Sequence, residues 1–244
     1  MAQTFLTYNL DLDQIADSGQ VFRWLRLGDG RYLIPSGSRE TEARQDGNRL
    51  YLSCSEEDAP FWHSYFDLDT DYGRIIRSCR RIHDSYLNEA MKYGSGIRIL
   101  RQDLWETIVT FLISQNNNIP RIQKIISRLC QSAGHFPSAS EILQTDLSDK
   151  GLGYRDKYLK NAAECWQNGI HGCFDSICGV GPKVESCIRL YGCHDLSYAP
   201  VDTWMKRVIS EDYGGRMPEW ISGPYAGVCQ QYVFYYKRKT ASAC

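Results

Sequence analysis

No stretch of the 244 residues is apolar for long enough to span a bilayer, which takes about 20 consecutive apolar residues in a helix. The opening, MAQTFLTYNLDLDQ, has no basic start followed by an apolar run, the pattern of an export signal. An intracellular protein with no membrane contact is the expectation, in the cytoplasm or nucleoid if the source is prokaryotic. The ten cysteines, at 54, 79, 130, 165, 173, 178, 187, 193, 229 and 244, include no pair at CxxC spacing. Structural zinc sites normally announce themselves by such pairs, and a reducing compartment favours free thiols over disulfides. The string His171, Cys173, Cys178, Cys193 and His194 is left as a weak zinc alternative, and neither metal nor cofactor is expected. Internal repeats, low-complexity segments and long linkers are also missing. Net charge is nearly absent, at −1.

That small total hides an asymmetry. Residues 1–70 carry 6 Lys/Arg against 12 Asp/Glu, whereas residues 71–244 carry 22 against 17. A polyanion should therefore meet the second part, near Arg74–Arg81, Arg121–Arg128, Lys150–Lys160 and Lys206–Arg207. Each cluster alone reads as a solvated helix face; together they make nucleic acid plausible.

The patterning changes along the chain in the same sense. TFLTYNL, QVFRWLRL, RYLIPS, RETEARQ and RLYLSC, within residues 4–55, have strand length and composition, and GDG, SGS and DGN between them are turn signals. From about residue 70 the apolar period becomes helical: Ile75, Ile76, Cys79, Ile82, Tyr86, Leu87 and Ala90, then Leu104, Trp105, Ile108, Val109 and Leu112, then Ile122, Ile125, Ile126 and Leu129. Asn118, Ser138 and Asp202 stand where N-caps belong. The expected fold is α+β: an N-terminal antiparallel sheet domain, residues 1–68, packed on a mostly helical body, residues 69–244.

The segment ICGVGPKVESC, residues 177–187, carries the chemistry. Pro182 suits the first helical position, Gly179 and Gly181 allow a tight approach of backbone to a ligand, and the free N–H groups of a helix start attract phosphate. Lys183 lies just inside that helix. Nineteen residues on, PVDTW places Asp202 at a cap. A lone lysine is more often a surface charge and a lone capping aspartate more often only a cap. Together they permit more: a fixed carboxylate stabilises the positive charge that builds on a sugar as its N-glycosidic bond breaks. An amine attacks only when neutral, a form favoured by desolvation, neighbouring cations and the positive end of a helix dipole.

The combination of ICGVGPK and PVD resembles the helix-hairpin-helix DNA glycosylase superfamily, with the hairpin at about residues 172–192. SGQVFRW (18–24), IRILRQDLWETIVTFLISQNNNIPRI (97–122), LGYRDKYL (152–159), GVGPKVESCI (179–188) and GPYAGVCQQYVF (223–234) are similar to 8-oxoguanine DNA glycosylase/lyases, in their compact prokaryotic form. The resemblance covers nearly the whole chain. It implies base-excision repair of double-stranded DNA bearing 8-oxoguanine or an abasic site, by a monomer. Lys183 and Asp202 would be catalytic. Gly19, Cys187, Gln230 and Phe234 would hold the extruded base, Gly19 by a carbonyl that accepts the N7–H found in 8-oxoguanine and not in guanine. Asn116, Arg121 and Arg155 would read the orphaned cytosine with Tyr154 wedged into the gap, and Gly179, Val180 and Gly181 would bind phosphate. The bland alternatives are a hairpin glycine at 19, core packing at Cys187 and Phe234, and a phosphate contact at Arg155. The chain departs from the vertebrate-type pattern at Trp204, where a histidine is usual, and at Lys237, where an aspartate is usual. It also lacks the four-cysteine iron–sulfur loop of other branches. An enzyme for an alkylated base would usually lack the lysine, and a non-catalytic hairpin module needs neither Lys183 nor Asp202.

Overall fold

The computed structural model describes residues 2–169 and 172–241. Strand β1 (Ala2–Leu6) precedes a short helix, α1 (Leu12–Asp17). Strands β2 (Leu25–Gly28), β3 (Arg31–Ser36), β4 (Arg39–Asp46) and β5 (Arg49–Ser53) then form an antiparallel meander. The order across the sheet is β1-β5-β4-β3-β2, so the first strand returns to pair with the last, Thr4 opposite Tyr51. The three turn signals fall at the three meander connections. In β3 the alternation of RYLIPS buries Tyr32, Ile34 and Ser36 on the inner face, the period-two pattern of a sheet with one wet side.

Two segments depart from the strand reading. The chain leaves the sheet after Leu6, and Asp11 caps α1 by accepting from the Gln14 amide. Residues 20–24 of QVFRWLRL are irregular, because their side chains serve two cores. Phe22 packs into the helical body while Val21 and Trp24 pack under the sheet. Leu100 makes the reverse crossing from the helical part into the sheet cluster. The layers are thus interleaved.

The helices that follow are α2 (Ala59–Tyr65), α3 (Tyr72–Arg80), α4 (Ser85–Tyr93), α5 (Leu104–Ser114), α6 (Ile119–Ala133), α7 (Ala139–Gln144), α8 (Arg155–Gln167), α9 (Pro182–Cys187), α10 (Thr203–Glu211) and α11 (Ala226–Ala241). The helical period from Ile75 to Ala90 proves to be two helices, since His83 takes a left-handed φ of +57 and Asp84 caps a new start. Asn118, Ser138 and Asp202 all cap as read, Ser138 in a reciprocal box with Glu141. Helix α5 is buried on nearly every side, from Thr107 to Ile113 without a break, which makes it the axis of the body. No helix among the described residues is long and apolar enough to cross a membrane.

A buried polar network fastens this body to the N-terminal segment. The Arg98 guanidinium donates to the carbonyls of Asn9 at 3.2 Å, Asp67 at 2.6 Å and Tyr8 at 2.8 Å. The Asp67 carboxylate meets Arg101 at 2.9 Å and His194 at 3.2 Å and accepts from Thr70 and Tyr72. Burial pushes the Asp67 carboxyl up, but His194, Thr70 and Arg101 together hold it below its ordinary value. A carboxyl depressed by folding contributes stability that is complete above its unfolded pKa and is lost as pH falls through the folded one. The urea midpoint should therefore fall more steeply from about pH 5 to about pH 2 in the wild type than in Asp67→Asn, which lacks that titration. Equal slopes would remove Asp67 from the account.

Candidate active site

The hairpin is built on α8. Asn161 accepts from the Cys178 amide at 2.7 Å, and the Val180 amide closes a turn onto the Ile177 carbonyl at 3.0 Å. Gly179 has φ +86, and a Cβ there would stand 2.5 Å from the Tyr158 ring, so only glycine fits. Gly181, exposed at the tip, is the N-cap of α9, with Pro182 opening the helix and Lys183 half-buried behind it. The Lys183 ammonium lies 5.2 Å from the centroid of the Phe111 ring, on α5.

Three further segments converge on that lysine. Asp202 follows Pro200 and Val201, and its Oδ1 accepts from the Met205 amide at 2.9 Å, so the other oxygen is the one available to a substrate. Helix α11 supplies Gln230 and Phe234. The turn at Ser18–Gln20 supplies Gly19, whose φ of +82 favours glycine. All six residues expected for catalysis and base recognition, namely Gly19, Lys183, Cys187, Asp202, Gln230 and Phe234, line one small cavity of about 50 Å³. Lys183 and Asp202 also line an open cleft of about 320 Å³ with Gln115, Asn116, Gly181 and Lys206. The pair therefore stands between a surface groove and an inner pocket.

The pocket is buried and polar at chosen points. Burial raises the Cys187 thiol to about 11, against the pull of the Lys183 ammonium within hydrogen-bond reach. The Oε1 of Gln230 is buried with no hydrogen-bond partner. Leaving such an acceptor unpaired costs about 1–3 kcal/mol, which a ligand donor recovers.

The residues expected at the opposite base are only partly gathered. Asn116, at φ +47, donates to the Tyr154 hydroxyl at 3.1 Å, and both are exposed beside the cleft. Arg155 is buried; it donates to the carbonyls of Gln115 (2.9 Å), Leu152 (3.0 Å) and Asn116 (3.3 Å), and lies 4.5 Å from the Tyr154 ring centroid. In this state it braces the loop that carries Asn116. Arg121 lines a neighbouring cleft with Lys124, Arg128 and Gly151. Lys237 is ion-paired to Glu211 at 2.9 Å and Asp212 at 2.7 Å, and the Arg207 guanidinium lies over Trp204. Lys237 thus ties α11 to the end of α10, while Trp204 is covered by a residue of its own helix.

The same architecture is found in solved structures. The 8-oxoguanine glycosylase/lyase of Clostridium acetobutylicum, determined with double-stranded DNA containing cytosine opposite 8-oxoguanine, is 31% identical. It superposes with a TM-score of 0.89 over 99% of this chain and 98% of its own. The chain belongs to the 8-oxoguanine DNA glycosylase/lyase family. MBOgg1, solved with a low-affinity DNA ligand, is 34% identical with a TM-score of 0.90, over 98% of this chain and 96% of that one. Residues 4–108 match the family described as 8-oxoguanine DNA glycosylase, N-terminal domain. The N-glycosylase/DNA lyase of Saccharomyces cerevisiae is 29% identical across 84% of this chain and 68% of its own length.

Sequence reasoning missed Phe111, Tyr191 and Pro200, which also line the pocket. Phe111 and Tyr191 stack at 5.3 Å and 11°. Both sit in apolar stretches that look like ordinary core, so no local signal marks them. Among the described residues no group of three or more His, Cys, Asp or Glu side chains is placed to hold a metal ion, and His171 lies outside them. Cysteine reactivity gives a direct check on the pocket. Iodoacetamide at about pH 8 should label exposed Cys173 and Cys178 and spare Cys187 until the protein is unfolded. Early labelling of Cys187, read by peptide mass spectrometry, would mean the pocket is open and wet.

Proposed function

We propose that this chain excises 8-oxoguanine from double-stranded DNA and then nicks the strand at the abasic site, with Lys183 as nucleophile. The observation that carries the reading is the single cavity in which Lys183 and Asp202 share walls with Gly19 and with the unpartnered Gln230 acceptor. A base in a duplex is out of reach of such a pocket and must be extruded. The inner pocket takes the base, and the sugar comes to rest at the boundary where Lys183 and Asp202 stand.

As the bond from C1′ to the base breaks, its electron pair leaves with the base and positive charge develops on the sugar. The Asp202 carboxylate stabilises that charge through space. The Lys183 ammonium passes a proton to the departing base, its nitrogen bonds to C1′, and a second N–H proton moves to O4′ as the C1′–O4′ bond breaks, which opens the sugar and leaves a protonated Schiff base. Loss of a proton from C2′ then expels the 3′-phosphate oxygen, which nicks the strand. The Gln230 Oε1 accepts from the Watson–Crick edge of the base, Cys187 and Phe234 flank its faces, and the Gly19 carbonyl accepts N7–H. Guanine offers a lone pair at N7 and leaves that carbonyl unsatisfied. Asn116, Arg121 and Arg155 face the partner base, where two arginine donors suit the acceptors of cytosine, and Tyr154 fills the vacated stack.

Borohydride should trap the wild type covalently on a duplex with one 8-oxoguanine, and Lys183→Gln should give no adduct. A trapped adduct in that variant would move the nucleophile elsewhere. Asp202→Asn keeps a capping side chain and loses the charge, so base release should fall by about 100-fold or more while the melting temperature changes little. Near-normal release with a large loss of stability would make Asp202 a cap alone.

A further inference from the structure

A cavity of about 50 Å³ has room for one or two waters at roughly 30 Å³ each, far less than a purine, so one wall must move before a base enters. Three of the walls are fixed. Cys187 and Gln230 are buried within helices, and the Gly19 turn is tied down by the buried Gln20 and Gln231 side chains. Phe234 is only half-buried, and its ring lies directly on Gly19: a Cβ there would stand 3.1 Å from Cε1 and 3.5 Å from Cζ. One helical turn beyond it on the same face of α11, Arg238 places its guanidinium 5.2 Å from the Phe234 ring centroid and 3.4 Å from that same point on Gly19. It also donates to the Asp17 carbonyl at 3.2 Å. Asp17 is itself anchored, its carboxylate held by Arg26 at 2.9 Å and Lys239 at 2.8 Å.

We propose that Arg238 is a positioning residue that latches Phe234 shut over Gly19, so that entry of a base requires release of the cation from the ring. The proposal rests on the reading that this pocket receives the base. A latched wall lowers the apparent affinity for an inserted base by the fraction of molecules that are open. It leaves binding of a duplex with no base to insert untouched. Loss of a stacked cation and its carbonyl contact should shift that balance about 5- to 30-fold.

The test compares two uncleavable duplexes by fluorescence anisotropy, one carrying 2′-fluoro-8-oxoguanosine and the other a tetrahydrofuran abasic analogue. Arg238→Met keeps the apolar stem and should favour the 8-oxoguanine duplex over the abasic one by about 5- to 30-fold more than the wild type does. Arg238→Lys, which keeps charge without the planar fork, should move the same ratio in the same direction. If Arg238→Met weakens both duplexes alike and Arg238→Lys restores them, the side chain is a phosphate ligand and the latch is wrong. An unchanged ratio in both variants also overturns it, provided the wild type prefers the 8-oxoguanine duplex to one with guanine. A wild type without that preference overturns the base-pocket reading and the latch with it.

Discussion

Gln20 has no exposure to solvent, and every polar atom of its side chain is used. Its amide nitrogen donates to the Ser18 hydroxyl and the Arg98 carbonyl, and its oxygen accepts from the Leu100 amide. From the other side Gln231 donates to the Ser18 carbonyl and accepts from the Tyr191 hydroxyl. Gly19 therefore hangs between two buried amides, one belonging to the N-terminal segment and one to the last helix. Buried amides of this kind are costly unless fully paired and geometrically strict once they are. That strictness fixes the Gly19 carbonyl relative to Lys183 and Asp202, which come from different segments of the chain.

The site follows from this constraint combined with a division of labour. Regular elements hold the two residues proposed for the chemistry: a short helix behind a glycine hairpin for Lys183, a helix cap for Asp202. The sheet contributes no side chain to the pocket; it backs the turn that carries Gly19. The groove-facing residues are arranged otherwise. Arg155 spends its donors on the loop that presents Asn116. In the proposed role of reading a partner base it would have to exchange those carbonyls for the base edge, an exchange that the proposed roles of Lys183 and Asp202 do not need.

The fold class was legible because the apolar period changes from two to 3.6 near residue 70, and caps such as Asn118, Ser138 and Asp202 are local chemistry. Residues 20–24 were not, because the nearly continuous burial there comes from facing two cores and mimics a buried strand. The break at His83 was hidden for a related reason, since the apolar spacing runs straight through it. Within the site, Lys183 and Gly179 were visible from the hairpin, and the base pocket was named from the resemblance. Phe111 and Tyr191 were invisible, being aromatic residues in apolar stretches whose role depends on which side chains lie across from them. Arg238 was equally hidden: basic residues near a helix end have an ordinary explanation in the helix dipole.

Helix α11 carries the Gln230 amide, the Gln231 clamp, the Phe234 ring and the Arg238 guanidinium on consecutive turns. Each added residue rotates everything beyond it by about 100°. A single insertion between Gly227 and Gln230 would turn the whole set away from Gly19 at once, whereas an insertion after Arg238 would disturb none of it. Within α11, added length is thus harmless to the pocket only beyond Arg238, and the residues it sends there turn as one indivisible block.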